Sequence, residues 1–235
     1  MIRFGSAEVG DGVALGCARC AMPRTPSYHS VADVARALTE LAAGWSGTPG
    51  PNVVLGGPEP FAHPQLPALV ASAIDAGFER IALETDGAAL SVTENAEGVL
   101  RAGVRHIRLR VVATDEWRAA EFLPRPAVVS AARRGVTAFR SAAERAAVRA
   151  VVTAVVPVCT HTVDSLPSTI ADLASWDVDA VRLEAAGPLP PDAAGLIAAA
   201  CDTGMVNRLW VETDGELPLP SSHALHAVPE EGDDG

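Results

Sequence analysis

Cys17 and Cys20 form a Cys-x-x-Cys pair in the loop GCARC, and the run VVLGGPEPFAH begins at Val53. Two thiolates at that spacing are soft ligands for an iron–sulfur cluster or zinc, or a dithiol for redox exchange. In the second run an apolar stretch ends in Gly56 and Gly57, and Glu59 follows between two prolines. The top of a buried parallel strand reads this way when its last residues hold a small molecule. Glycine lets backbone approach a ligand closely, and proline restricts the turn that carries the acid.

These residues need strands and helices to bring them together. Short β-branched runs alternate with amphipathic stretches, the pattern of βα units around a parallel sheet. Strands are predicted at 52–55, 80–84, 106–112, 148–156, 180–184 and 208–212, with an earlier one inside 1–13. Val31, Val34, Leu38, Leu41 and Trp45 recur at helical spacing behind Ser30, a capping residue type. Leu66, Leu69, Val70, Ala73 and Ile74 do the same and stop before Gly77. Further helices are predicted at 93–102, 127–134, 139–147, 163–175 and 190–201, the last closed by Gly204.

Six or seven βα units in one repeating order suit a complete or partial parallel barrel better than a flat doubly wound sheet. Working residues then gather at the C-terminal ends of the strands. There the sequence places GCARC, GGPEP, the ETDG of Glu84, Thr85 and Asp86, the VATD ending at Asp115, the Cys159 and His161 of PVCTH, and Glu184. ETDG recurs at Glu212–Gly215, again ending a predicted strand. Period-two alternation puts Arg108 and Arg110 on one face of their strand, opposite Ile107, Leu109 and Val111. Solvent or interhelix ion pairs are the plain expectation for Arg110 and Arg182. The alternative is that Arg110 meets a ligand carboxylate.

The chain has 235 residues, 49% apolar but only 4% aromatic, enough for one domain whose core is Ala, Val, Leu and Ile. Residues 1–220 read as that domain and 221–235, ending PEEGDDG, as an acidic disordered tail. A formal charge of −11 disfavours nucleic acid and anionic membrane as generic partners. With four cysteines, no secretory leader and no long apolar span, the sequence points to a cytoplasmic protein rather than a disulfide scaffold.

From about residue 13 to 185 the chain resembles the radical S-adenosylmethionine (SAM) superfamily. GCARC, VVLGGPEPFAHPQL, RIALETDGAAL and VRHIRLRVVATD carry the resemblance in order, and VVTAVVPVCTHTVDSLPSTIADL with DVDAVRLE resembles the later units. The resemblance implies a single-domain partial (β/α)6 barrel, a [4Fe–4S] cluster and SAM at the barrel top. It further implies reductive cleavage of SAM to a 5′-deoxyadenosyl radical that acts on a small-molecule or peptide substrate, with a reductase or catalytic partner. Carried over by position, Gly56, Gly57 and Glu59 meet the SAM ammonium, and Glu84, Thr85 and Asp86 the ribose. Residues near Val156 and Val158 cover adenine, Arg110 meets a carboxylate, and Cys17 and Cys20 bind iron.

The family's first thiolate position is Val13, and Arg19 replaces the usual aromatic residue. Three outcomes stay open. Cys159 or His161, at the same rim, supplies the missing iron ligand. The cluster is lost and the fold serves as a SAM-binding or partner-binding accessory subunit. Or the pair holds zinc or works as a redox dithiol. Tyr28 and His29 lie in the cysteine loop, His29 as a helix-start residue, and Cys201 reads as a small packing residue at a helix end.

Overall fold

The computed structural model describes residues 5–11, 27–46, 50–123 and 125–219, and its elements alternate as the hydrophobic pattern dictates. In chain order they are β1 (Gly5–Glu8), β2 (Gly10–Asp11), β3 (Ser27–Tyr28), α1 (Val31–Ala43), β4 (Asn52–Gly56), α2 (Leu66–Asp75), β5 (Arg80–Thr85) and α3 (Thr93–Ala102). There follow β6 (His106–Arg110), α4 (Glu116–Phe122), α5 (Val128–Arg145), β7 (Val151–Val158), α6 (Leu166–Leu173), β8 (Ala180–Ala185), α7 (Ala193–Val206) and β9 (Trp210–Thr213). Val13, Cys17, Arg19, Cys20 and the tail from 221 lie outside the described residues.

Seven strands form one sheet in the order β1-β4-β5-β6-β7-β8-β9, every pair parallel. Neighbours in the sheet are therefore neighbours along the chain, with no point where the order reverses. That excludes a doubly wound sheet. Among the described residues β1 and β9 do not pair, so the cylinder is open there.

The two faces of the sheet differ in chemistry because side chains alternate along each strand. Right-handed crossovers in one direction put all the helices on one side. Toward them point Val53 and Leu55, Ile81 and Leu83, Ile107 and Leu109, Val152, Ala154, Val156 and Val158, Val181 and Leu183, and Val211, all within the main hydrophobic core. Val156 and Val158 thus belong to the helix-side core, and their neighbour Val155 stands on the opposite face. That residue is buried but lies outside that core.

Local signals set most helix ends. Ser30 Oγ accepts the Asp33 N–H at 3.2 Å and caps α1. Gly77 and Gly103 follow α2 and α3 with φ of 93° and 109°, the left-handed conformation that closes a helix. Elsewhere packing overrides local sequence. The predicted helices at 127–134 and 139–147 are one helix, α5, which runs unbroken through Gly135. A Cβ on Gly135 would lie 2.1 Å from the Gly87 carbonyl oxygen, so that glycine admits the turn after β5 rather than ending the helix. Gly204 likewise sits inside α7, where a Cβ would come 2.3 Å from Val211. Cys201 is buried in mid-helix, and burial beside Asp202 pushes its thiol up to about 11.

Gly135→Ala, which raises helix propensity, is expected to destabilise the protein by about 1–3 kcal/mol through overpacking. Gly98→Ala in α3, where a Cβ meets nothing within 4 Å, should instead stabilise by about 0.5–1 kcal/mol. Urea unfolding of both variants reads the two opposite signs.

Candidate functional site

The C-terminal ends of β1, β4 and β5 build the site. At the end of β4 the chain turns through Gly57, whose φ is 94° and whose hypothetical Cβ would lie 3.0 Å from the Gly10 carbonyl oxygen. Only glycine allows that approach. Next to it, a Cβ on Gly56 would lie 3.5 Å from Glu84 Cβ on β5, so Gly56 leaves the space over Glu84 uncovered.

Glu59 follows and faces β5. Its carboxylate accepts from the Phe61 N–H at 3.1 Å, the Thr85 hydroxyl at 2.7 Å and the Asp86 N–H at 2.9 Å. The first of these caps a short 3-10 turn over Pro60–Ala62; the other two tie that turn to the end of β5. Burial, and then repulsion from the Asp86 carboxylate, push Glu59 up to about 7 despite three hydrogen bonds that favour its charge. Burial also raises Asp86, although the Ala88 N–H and the positive charge of Arg125 oppose it.

The face turned away from the helices carries ions where the other carries aliphatics. Glu84 pairs with Arg110, whose Nε donates at 2.7 Å, and with Arg108 at 3.2 Å. Arg108 also reaches Glu184 on β8 at 2.5 Å, Arg182 pairs with Glu184 at 3.0 Å, and Arg182 reaches Glu212 on β9 at 3.5 Å. Three carboxylates and three guanidinium groups thus form one ladder across β5, β6, β8 and β9. Arg110 and Arg182 are committed to partners within the sheet, neither in free solvent nor between helices. Beside Arg110 a cavity of about 10 Å³, bounded also by Asp86, Leu123 and Trp176, has room for about one water. Below the ladder His106 hydrogen-bonds Thr153 at 2.9 Å, and burial followed by the charge of Arg108 holds its imidazole down to about 4.

The structure therefore brings Gly56, Gly57, Glu59, Glu84, Thr85, Asp86 and Arg110 to one rim, as the sequence places them. It spends the side chains of Glu59, Glu84 and Arg110 on internal contacts. Cys159, just past β7, is 1% exposed and part of the hydrophobic core, while its N–H donates to Thr162 Oγ1 at 3.0 Å. His161 is exposed. Among the described residues no three His, Cys, Asp or Glu side chains converge as a metal site, and no helix is long and apolar enough to cross a membrane.

Of the ladder partners, Glu212 stood out in the sequence through the repeated ETDG, Arg108 through strand alternation and Glu184 as a strand end. Both copies behave alike. Each glutamate turns inward onto arginine, and Asp214 accepts the Ala185 N–H at 2.6 Å, tying the end of β9 to β8. His63 carried no sequence signal beyond its place in the glycine turn. It is 5% exposed, packs edge-on against Tyr28 with centroids 5.4 Å apart, and bonds the His29 carbonyl at 3.0 Å.

No protein-family model and no curated protein sequence matches the chain. Solved structures do. SuiB of Streptococcus suis bound to S-adenosylmethionine superposes with a TM-score of 0.65 at 13% identity, over 89% of this chain and 50% of SuiB. Native anSMEcpe with bound AdoMet and the Kp18Cys peptide gives 0.66 at 12%, over 88% of this chain and 63% of anSMEcpe. The radical SAM methyltransferase TsrM of Kitasatospora setae, with cobalamin and a [4Fe–4S] cluster bound, gives 0.53 at 12%, over 77% and 36%. The chain has the fold of these radical SAM enzymes and spans between about a third and two-thirds of their length.

Two predictions test this geometry. Glu59, ordinarily near 4.5, holds its proton up to about 7 when folded. It therefore favours the fold fully below its ordinary value, and that contribution is lost as pH rises through 7. Wild type should lose more urea stability between about pH 5 and pH 8 than Glu59→Gln, in which this titration is absent. Arg108→Met leaves Glu84 and Glu184 with one partner fewer each and is expected to cost about 3 kcal/mol in the same assay.

Proposed function

We propose that the chain binds SAM at the rim formed by Gly56, Gly57 and the end of β5, beside an iron–sulfur cluster held by Cys17 and Cys20, and acts as a radical SAM enzyme. One observation carries this reading. The segment bearing both cysteines leaves the described structure after Asp11 and returns at Ser27, and those residues pair across β2 and β3 directly beside Gly57. Both ends of the thiol-bearing segment thus stand at the glycine turn, at the same mouth as Glu59 and Asp86. The shared fold of SAM-binding enzymes supports the reading independently.

The residues fit such a ligand in part. Bare backbone at Gly56 and Gly57 gives a SAM amino-acid group room beside the carbonyls that would accept from its ammonium. Asp86 offers oxygens to ribose hydroxyls, whereas Thr85 is buried with its hydroxyl engaged by Glu59 and the Gly87 N–H, and Val155 is buried as well. Glu59 acts one step back by holding the turn and the Asp86 backbone in place. Arg110 keeps Glu84 neutralised, so the floor beneath the ligand bears no net charge. Cys159 would have to turn out of the core to serve as a third thiolate, which leaves the weight of cluster binding on Cys17 and Cys20. A cluster held there would supply the electron for reductive cleavage of SAM, and the radical chemistry so started would act on a small-molecule or peptide substrate. An external reductase supplies that electron, in keeping with a reducing, cytoplasmic setting.

A second reading is favoured by Val13 and by the internal pairing of Glu59, Glu84 and Arg110. In it the fold keeps SAM or a partner subunit without cluster chemistry. Anaerobic reconstitution, iron and sulfide quantitation and a 5′-deoxyadenosine assay decide between them. The enzyme reading expects about one cluster per chain, with cluster and product both lost in Cys17→Ala and Cys20→Ala. A cluster-free protein that still binds SAM establishes the accessory reading. One zinc and no iron removes both in favour of a zinc site.

A further inference from the structure

We infer that His63 is a positioning residue: its imidazole closes a hydrogen-bond circuit that holds the returning end of the cysteine-bearing segment in register with the glycine turn. The circuit can be followed atom by atom. The Val9 N–H donates to the Gly56 carbonyl at 3.0 Å, and the His29 N–H donates to the Val9 carbonyl at 3.0 Å. The His29 carbonyl is bonded by His63 Nε2 at 3.0 Å, and the Gln65 N–H donates to His63 Nδ1 at 3.0 Å. Because Nδ1 accepts from a backbone amide, the ring proton sits on Nε2 and is donated to His29. Gly56 and His63 belong to one short stretch of chain, so the loop runs out from β4 through β1 and β3 and back to the same turn.

Every other link in this circuit is backbone, available to any sequence; His63 alone is a side chain. A side chain without both an acceptor and a donor set on opposite sides loses one of these bonds or both. Tyr28 adds a second strap. Its ring packs against His63, and its hydroxyl donates to the Glu59 carbonyl at 3.2 Å. Gly10 admits the strands that close the base, since a Cβ there would fall 2.0 Å from the Ser27 carbonyl oxygen. A circuit of bonds that polarise one another in a partly buried setting resists opening more than its members do singly. The consequence for iron binding by the segment between Asp11 and Ser27, whose ends pair at the mouth, rests on the function proposed above.

The test separates the latch from that function. In the full chain, His63→Leu keeps the bulk and removes both nitrogens, while His63→Gln retains a donor at similar reach. Hydrogen exchange, which needs no metal, should accelerate at the Val9 and His29 amides by about tenfold or more in His63→Leu. Amides of β6 and β7 should stay unchanged and His63→Gln should lie between. Iron bound on reconstitution should fall about fivefold or more in His63→Leu at an unchanged fraction folded. Unaltered exchange at Val9 and His29 overturns the latch whatever the iron content. Iron loss that merely tracks unfolding overturns the positioning role. If wild type takes up no iron yet exchange accelerates in His63→Leu, the latch is upheld and the cluster reading fails.

Discussion

Parallel strands laid side by side in chain order leave one face of the sheet without helices, and the rest of the structure answers to that constraint. Each crossover returns on the same side, so α1 to α7 supply one apolar layer and none remains for the opposite face. That face has to be filled by the strands' own side chains. Here Glu84, Arg108, Arg110, Arg182, Glu184 and Glu212 do so as a charge-balanced ladder. Alternation in the strands turns one sheet into two surfaces: an aliphatic one that packs on the helices and an ionic one turned away from them.

Balance within the ladder has consequences for anything that binds above it. A lone buried arginine or glutamate would attract a counterion or shift its protonation. Here Glu84 and Glu184 each have arginine partners. At the rim, Glu59 and Asp86 stand side by side, and burial raises both carboxyls. Glu59 is held near neutrality by burial and by its neighbour, while its hydrogen bonds bind the turn after β4 to the end of β5. The circuit through His63 does the same between β4, β1 and β3. The mouth is thus braced on both sides of Gly57 by links that cross between elements, which restricts loop motion without further core.

Much of this arrangement could be read along the chain. Short β-branched runs located six strands to within a few residues, and Ser30, Gly77 and Gly103 marked helix ends through local bonds they make or conformations they allow. The rim residues were also legible, because a strand's C-terminal end is a sequence position. What went astray had a common origin. Gly135 and Gly204 resemble helix stops, yet each answers to a distant atom, the Gly87 carbonyl or the Val211 side chain. The short helix α4 carries too little pattern to stand out.

The sequence by itself determined the order of elements and the set of groups gathered at one rim. Those properties depend on neighbours a few residues apart, so local periodicity and backbone conformation suffice to encode them. Only the tertiary structure decided which group each charge meets: Glu59 with Thr85 and Asp86 across 26 and 27 residues, Arg110 with Glu84 across 26, Arg108 with Glu184 across 76. Composition offers many possible partners to every carboxylate. Sheet register selects among them, because ion pairs and hydrogen bonds depend on distances of a few ångströms that no spacing along the chain specifies.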